Sequence, residues 1–163
     1  RAIVEFKNKI LGLPLGSKKN IVIPNSIMEN NEFSKRCLCG ILDTDFHITS
    51  SLSISGKIHS IRVAKQIHEI LNRNNIKHIF KLYKDYGRFY IPKKESNIIV
   101  FGWKINNPKH LTKFHVFEKF GIFIPYTTTF ERIDLLSEKI SLHELQNMSD
   151  IRRKNLRPLL DSN

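Results

Sequence analysis

A chain of 163 residues with 40% apolar content and 11 phenylalanines can bury a core of its own, which excludes a disordered tail and favours a single domain. Its 27 Lys and Arg against 15 Asp and Glu give a formal charge of +12 spread along the sequence, a surface suited to phosphate backbones. No apolar run long enough to cross a membrane and no signal-peptide pattern occurs, so an intracellular protein (cytoplasm or organelle matrix) with no membrane partner is expected.

Residues 2–11 are expected as a short helix ended by Gly12 and Pro14. The following run looks like a phosphate loop, but its glycines stand too close and Ser17 occupies the lysine position. It reads as a turn into a short strand over residues 20–23. A helix over residues 33–42 comes next, with Asn31 or Asn30 as its cap. Alternation over residues 47–54 sets Ile48, Leu52 and Ile54 on a buried face and His47, Thr49, Ser51 and Ser53 on a polar one. Gly56 is expected to turn this strand into a second, residues 57–62. The apolar stripe Ala64, Ile67, Ile70 and Leu71 predicts a helix over residues 63–74. Strands at residues 76–85 and 88–91 are expected to join through Tyr86 and Gly87. After a polar loop at 92–97, residues 98–105 read as a strand burying Ile99, Phe101, Trp103 and Ile105. Asn107 and Pro108 open a helix to Phe120, and residues 127–136 and 141–160 read as helical. This order predicts an α+β domain with an antiparallel sheet.

The two cysteines, Cys37 and Cys39, diverge on their helix and are expected to be reduced and packed. The histidines show no zinc-binding spacing. The chain begins at Arg1 without Met, as a piece of a longer protein would.

The chemistry concentrates at the end of the helix over 33–42. Asp43 and Asp45 stand at its C-terminus, the end of the macrodipole that disfavours anions. Taken alone they are turn formers; beside a cation they become ligands. A hard divalent ion such as Mg²⁺ (or Mn²⁺) takes carboxylate oxygen and supports phosphodiester hydrolysis. Gly40, costly inside a soluble helix, suits a close crossing with a second helix, which would bring two acidic ends together.

Leu38-Cys39-Gly40-Ile41-Leu42-Asp43-Thr44-Asp45-Phe46 resembles the LAGLIDADG motif of homing endonucleases, matching at the first Leu, the Gly and both Asp. The similarity extends over about residues 10–136. Leu11-Gly12 to Ile23-Pro24 is similar to the lead-in of the intein-type and archaeal branch. Residues 61–76, closing in Asn75-Ile76, are similar to its next block. Residues 103–125, with Asn107-Pro108-Lys109-His110-Leu111 and Lys119-Phe120-Gly121, are similar to a later one.

The resemblance implies an αββαββα fold whose curved antiparallel sheet sits in the DNA major groove. It divides the chain into a lead-in (residues 1–30), a core (31–136) and a basic helical extension (137–163). It implies that Asp45 binds metal, that Asp43 closes the motif helix, and that Leu38, Cys39 and Gly40 take part in helix packing at a dimer interface. A single motif implies a homodimer, or the second half of a two-motif protein. Phe46 departs from the motif by standing where the family has Gly, which would crowd the metal acid. Lys119, or else Lys84, is the available basic residue for the scissile phosphate.

Under this reading Thr49, Ser51, Ser53, Lys57, His59, Lys81, Tyr83, Arg88 and Tyr90 face double-stranded DNA. Without it they are the solvated face of an antiparallel sheet. Lys93, Lys94, Lys104, Lys109 and Lys113 read as phosphate contacts or solvated charges, and the basic run at residues 152–157 as an exposed helix face. The expected function is a site-specific, metal-dependent DNA endonuclease. The alternatives are a non-catalytic nucleic-acid binder on the same fold (an intron RNA maturase or a decayed endonuclease) and a protein–protein module that uses the motif helix only to dimerise.

Overall fold

The computed structural model describes residues 21–160. The helix expected over residues 2–11, the turn after it and Asn20 lie outside the described residues. Helix α1 (Asn25–Met28) leads into α2 (Asn31–Asp45), the motif helix. Asn30 caps α2, its side-chain oxygen accepting from the backbone N–H groups of Glu32 and Phe33 at 3.0 and 3.1 Å. The helix runs on past Leu42 to Asp45. Within this last turn the Thr44 hydroxyl donates back to the Gly40 carbonyl at 3.2 Å, in place of a bond outside the helix.

No strand forms at residues 21–23. The backbone groups of Ile23 are paired by a side chain instead: its N–H donates to Gln66 Oε1 at 2.7 Å, and Gln66 Nε2 donates to its carbonyl at 2.8 Å.

Strands β1 (Phe46–Ile48), β2 (Ile54–Ile58), β3 (Ile79–Leu82) and β4 (Gly87–Ile91) form one antiparallel sheet in the order β1-β2-β4-β3. The first hairpin turns at residues 49–53, not at Gly56. Alternating polarity carries on through that turn because Leu52 takes a left-handed φ of 58° and stays buried, while Thr49, Ser51 and Ser53 bond to one another at 2.6–3.0 Å. Gly56 sits mid-strand directly opposite Phe46, whose ring lies against it. The second hairpin closes through Tyr83–Tyr86, and Gly87 is already in β4. A Cβ there would come within 2.6 Å of the Ala64 Cβ, so the glycine allows a helix to cross closely.

That helix is α3 (Ile61–Arg73), capped by Ser60, so Ile61 and Arg62 form its first turn and not a strand end. The strand expected over residues 98–105 is also absent. Helix α4 (Lys93–Asn97) runs into a π-helical turn over Ile98–Gly102. The apolar run suits either conformation, but the burial is consecutive at Ile99 and Val100 while Phe101 is exposed. Buried Ser96 fixes the junction, its Oγ accepting from Ile54 N–H at 3.1 Å and donating to the Ile91 carbonyl at 3.0 Å.

Helix α5 (Pro108–Phe120) is capped by Asn107 and stopped by Gly121 at φ 70°. Helices α6 (Thr129–Leu136), with a Thr128–Glu131 capping box, and α7 (Leu142–Leu160) complete the described chain. One core joins the buried sheet face to α2, α3 and α5; a smaller one holds Val116, Ile124, Leu135 and Leu145. The expected α+β class with an antiparallel sheet is what forms.

Candidate nucleic-acid interface

Helices cover one face of the sheet, where Phe46, Ile48, Ile54, Ile58, Phe89 and Ile91 are buried. The opposite face is open. The strand register sets its side chains in two rows: His47, Ser55, Tyr90 and Ile79 in one, Lys57, Arg88 and Lys81 in the other. Like charges directly opposite one another destabilise a sheet, yet Arg88 is flanked by a lysine on each side. Among the described residues none of the three pairs with an acid. Such a row is relieved by an external polyanion. Tyr90 at 39% and Tyr83 at 42% exposure add aromatic surface, and Lys57 Nζ lies 5.3 Å from the Tyr86 ring centroid, with Tyr86 stacked on Tyr83 at 4.6 Å.

The other expected contacts divide. His59 is exposed just beyond β2, 6.0 Å from the Tyr86 ring. Ser51 is exposed at the turn and Thr49 is half-buried. Ser53 is fully buried and bonded inside the turn, so it is unavailable to a base.

Asp45 ends α2 beside this face. It is exposed, its Oδ2 meeting, among the described residues, only the Thr44 hydroxyl at 3.3 Å. The last turn of α2 holds two acids and no basic residue, so the dipole disfavours both carboxylates. Asp43 is half-buried, its Oδ1 has no hydrogen-bond partner among the described residues, and burial raises its pKa. Two residues apart on a helix, the acids point to different sides, so Asp45 stands apart from Asp43 at the junction with β1. Its oxygens fit a hard divalent cation, but one carboxylate is only part of a coordination shell. Among the described residues no group of three or more His, Cys, Asp or Glu side chains comes together.

Several expectations about neighbouring residues are corrected. Phe46 does not crowd Asp45: its ring is 3% exposed, lies against Gly56 and sits 5.8 Å from Phe89. Leu38 and Cys39 are buried in the chain's own core, the Cys39 thiol 3.6 Å from the Trp103 carbonyl and its pKa raised by that burial to about 11. The exposed side of α2 carries Phe33, Gly40 and Thr44, and a Cβ at Gly40 would meet nothing within 4 Å among the described residues. Lys119 is bound to Glu138 at 2.8 Å near the α6–α7 connection. Lys84 is exposed in the second hairpin turn.

The basic residue of α5 that reaches the sheet is Lys113, whose Nζ donates to the Ile48 carbonyl at 3.2 Å. It stands six residues before Lys119, about 240° away around the helix. His47, on β1, feels this charge. Burial, then Lys113, Lys109 and Arg88, hold its pKa below the usual histidine range.

Comparison with protein-family models, curated proteins and solved structures returns no match for this chain. Among the described residues no helix is long and apolar enough to cross a membrane.

Proposed function

We propose that this chain is a divalent-cation-dependent, site-specific DNA endonuclease of the LAGLIDADG kind, acting through two motif helices from two copies or from two halves of a longer protein. The observation that carries the reading is the uncompensated row of Lys57, Arg88 and Lys81 on an open sheet face, next to a helix end rich in acid. The helix–hairpin–helix–hairpin order and the sheet order support the αββαββα fold. In this reading Lys57, Arg88 and Lys81 engage phosphates and base edges, and Tyr90 and Ser55 meet the groove between them. Asp45 holds the cation against the backbone. When bound, Mg²⁺ or Mn²⁺ supplies water activation and neutralises charge on the phosphodiester.

Gly40 supports the paired helix, because no contact among the described residues calls for a glycine there. Gly40→Ala should stabilise the isolated chain by up to about 1 kcal/mol in urea denaturation at high dilution. It should weaken self-association in analytical ultracentrifugation. Lower stability of the dilute chain would instead give the glycine a role inside its own fold.

A second reading, a non-catalytic binder of single-stranded or structured RNA, is favoured by Tyr83 and Tyr90, since exposed aromatics among cations stack unpaired bases. Incubating the protein with a randomised duplex library in Mg²⁺ and sequencing the ends separates the two. A long common cut site supports the endonuclease, and a palindromic one supports two identical copies. Sequences bound but never cut support the binder.

A further inference from the structure

Arg132 is a buried cation that the sheet face does not explain. It is 3% exposed, and its N–H groups all meet neutral oxygens. Nε donates to Thr112 Oγ1 at 2.8 Å, Nη1 to Thr127 O at 2.6 Å and Oγ1 at 3.1 Å, and Nη2 to Lys109 O and Thr129 Oγ1 at 3.3 Å each. The adjacent acid, Glu131, is bound by Arg152 and by the Thr128 backbone N–H. The guanidinium is hydrogen-bonded to neutral oxygens, and Glu131, itself held by Arg152, offsets its charge only through space, so what is left acts on neighbouring groups through a low dielectric.

That field falls on α5. Lys113 Nζ lies 5.7 Å from the Phe123 ring centroid besides its bond to Ile48. Burial first, then Arg132 and Lys109, bring its pKa down to about 8. Lys109 stands one turn earlier on the same face. Neither lysine pairs with an acid among the described residues. Charges from α5 and α6 therefore converge on the β1 edge with Arg88 of β4, all of one sign.

An anion that relieves this crowding meets exposed Lys109 and half-buried Lys113 beside β1, where His47 feels both lysines together with Arg88 of the basic row of the sheet. A phosphodiester backbone has that extent. We propose that Lys109 and Lys113 on α5, backed by the buried Arg132, form a contact for a nucleic-acid backbone phosphate at the β1 edge of the sheet. The proposal rests on the nucleic-acid reading above but not on cleavage.

The test is fluorescence anisotropy of a labelled random-sequence duplex across a salt series in EDTA, with folding checked by circular dichroism. Each lost phosphate contact lowers the log–log salt slope by about one. Lys109→Gln and Lys113→Gln should each flatten it by that amount and the double variant by about twice as much. Lys113→Arg should keep the parent slope, as should Lys139→Gln, whose lysine faces Asp134 at 3.5 Å. Affinity of the parent should also fall as pH rises through about 8, where the Lys113 ammonium is lost, and fall less in Lys113→Arg. Parent slopes in both glutamine variants overturn the proposal. So does displacement of the duplex by inorganic phosphate at constant ionic strength in the parent but not in the double variant, which marks a site for free phosphate. If Lys57→Gln and Arg88→Gln keep the parent slope while the α5 variants lose it, the sheet reading fails and this contact stands.

Discussion

Asp45→Asn should lower Mg²⁺-dependent cleavage at the selected site by at least about a thousandfold, some 4 kcal/mol of transition-state stabilisation. Its affinity for the same duplex without divalent cation should hold or tighten. The fold has little stake in this carboxylate. It is exposed, and among the described residues its one bond is from the neighbouring Thr44 hydroxyl at 3.3 Å. Neutralising it at the C-terminal end of α2 should stabilise the helix slightly, by about 0.3–1 kcal/mol. If the basic row of the sheet binds phosphates as proposed, removing a negative charge from the chain also favours the polyanion. Loss of cutting with binding intact therefore isolates the cation-holding role, read by single-turnover cleavage and filter binding. Cutting within tenfold of the parent would sink it. Asp43→Asn is the contrast. Asp43 sits half-buried on another side of the helix with Oδ1 unpartnered, so its replacement should act on stability and association more than on cleavage.

What the sequence disclosed follows the range of the interactions involved. Asp45, Gly40 and the acidic helix end are legible because the motif is contiguous and its parts lie on one helix. Asn107-Pro108 and the Thr128–Glu131 box mark helix starts by local bonding alone. The misread strand at residues 98–105 shows where local reading stops. An apolar run fits a strand or a buried helical turn equally, and the choice falls to Ser96, which ties α4 to both Ile54 and Ile91. The turn at residues 49–53 was hidden by side-chain hydroxyls that keep the polar alternation going after the strand has ended. Lys113 could not be picked over Lys119, because its partner Ile48 lies 65 residues away. Arg132 gave no signal at all, as its acceptors come from two separate stretches of chain, residues 109–112 and 127–129.

Gly56→Ala should cost about 3 kcal/mol, at the upper end for an added methyl in a packed core. In an ordinary strand the change would help, since Gly is the weaker strand residue. Here the new Cβ would lie 2.5 Å from Phe46 Cδ1 and 2.6 Å from its Cγ. That ring cannot swing aside freely: it is 3% exposed and packed toward Phe89 in the main core. The bulky residue in the last motif position and the glycine across the strand pair thus fit as one unit. A double-mutant cycle with Phe46→Ala tests this. Phe46→Ala alone should cost about 3–5 kcal/mol, and in its background Gly56→Ala should become neutral or stabilising, a coupling of at least about 2 kcal/mol. A Gly56→Ala protein as stable as the parent in urea would contradict the Phe46–Gly56 pairing. The pairing also bears on chemistry, because Phe46 is bonded to Asp45. Displacing the ring shifts the carboxylate at the end of α2. Gly56→Ala should therefore cleave more slowly than its residual folded fraction accounts for, while Gly87→Ala, which disturbs the α3 crossing at Ala64, should lose activity only in step with folding.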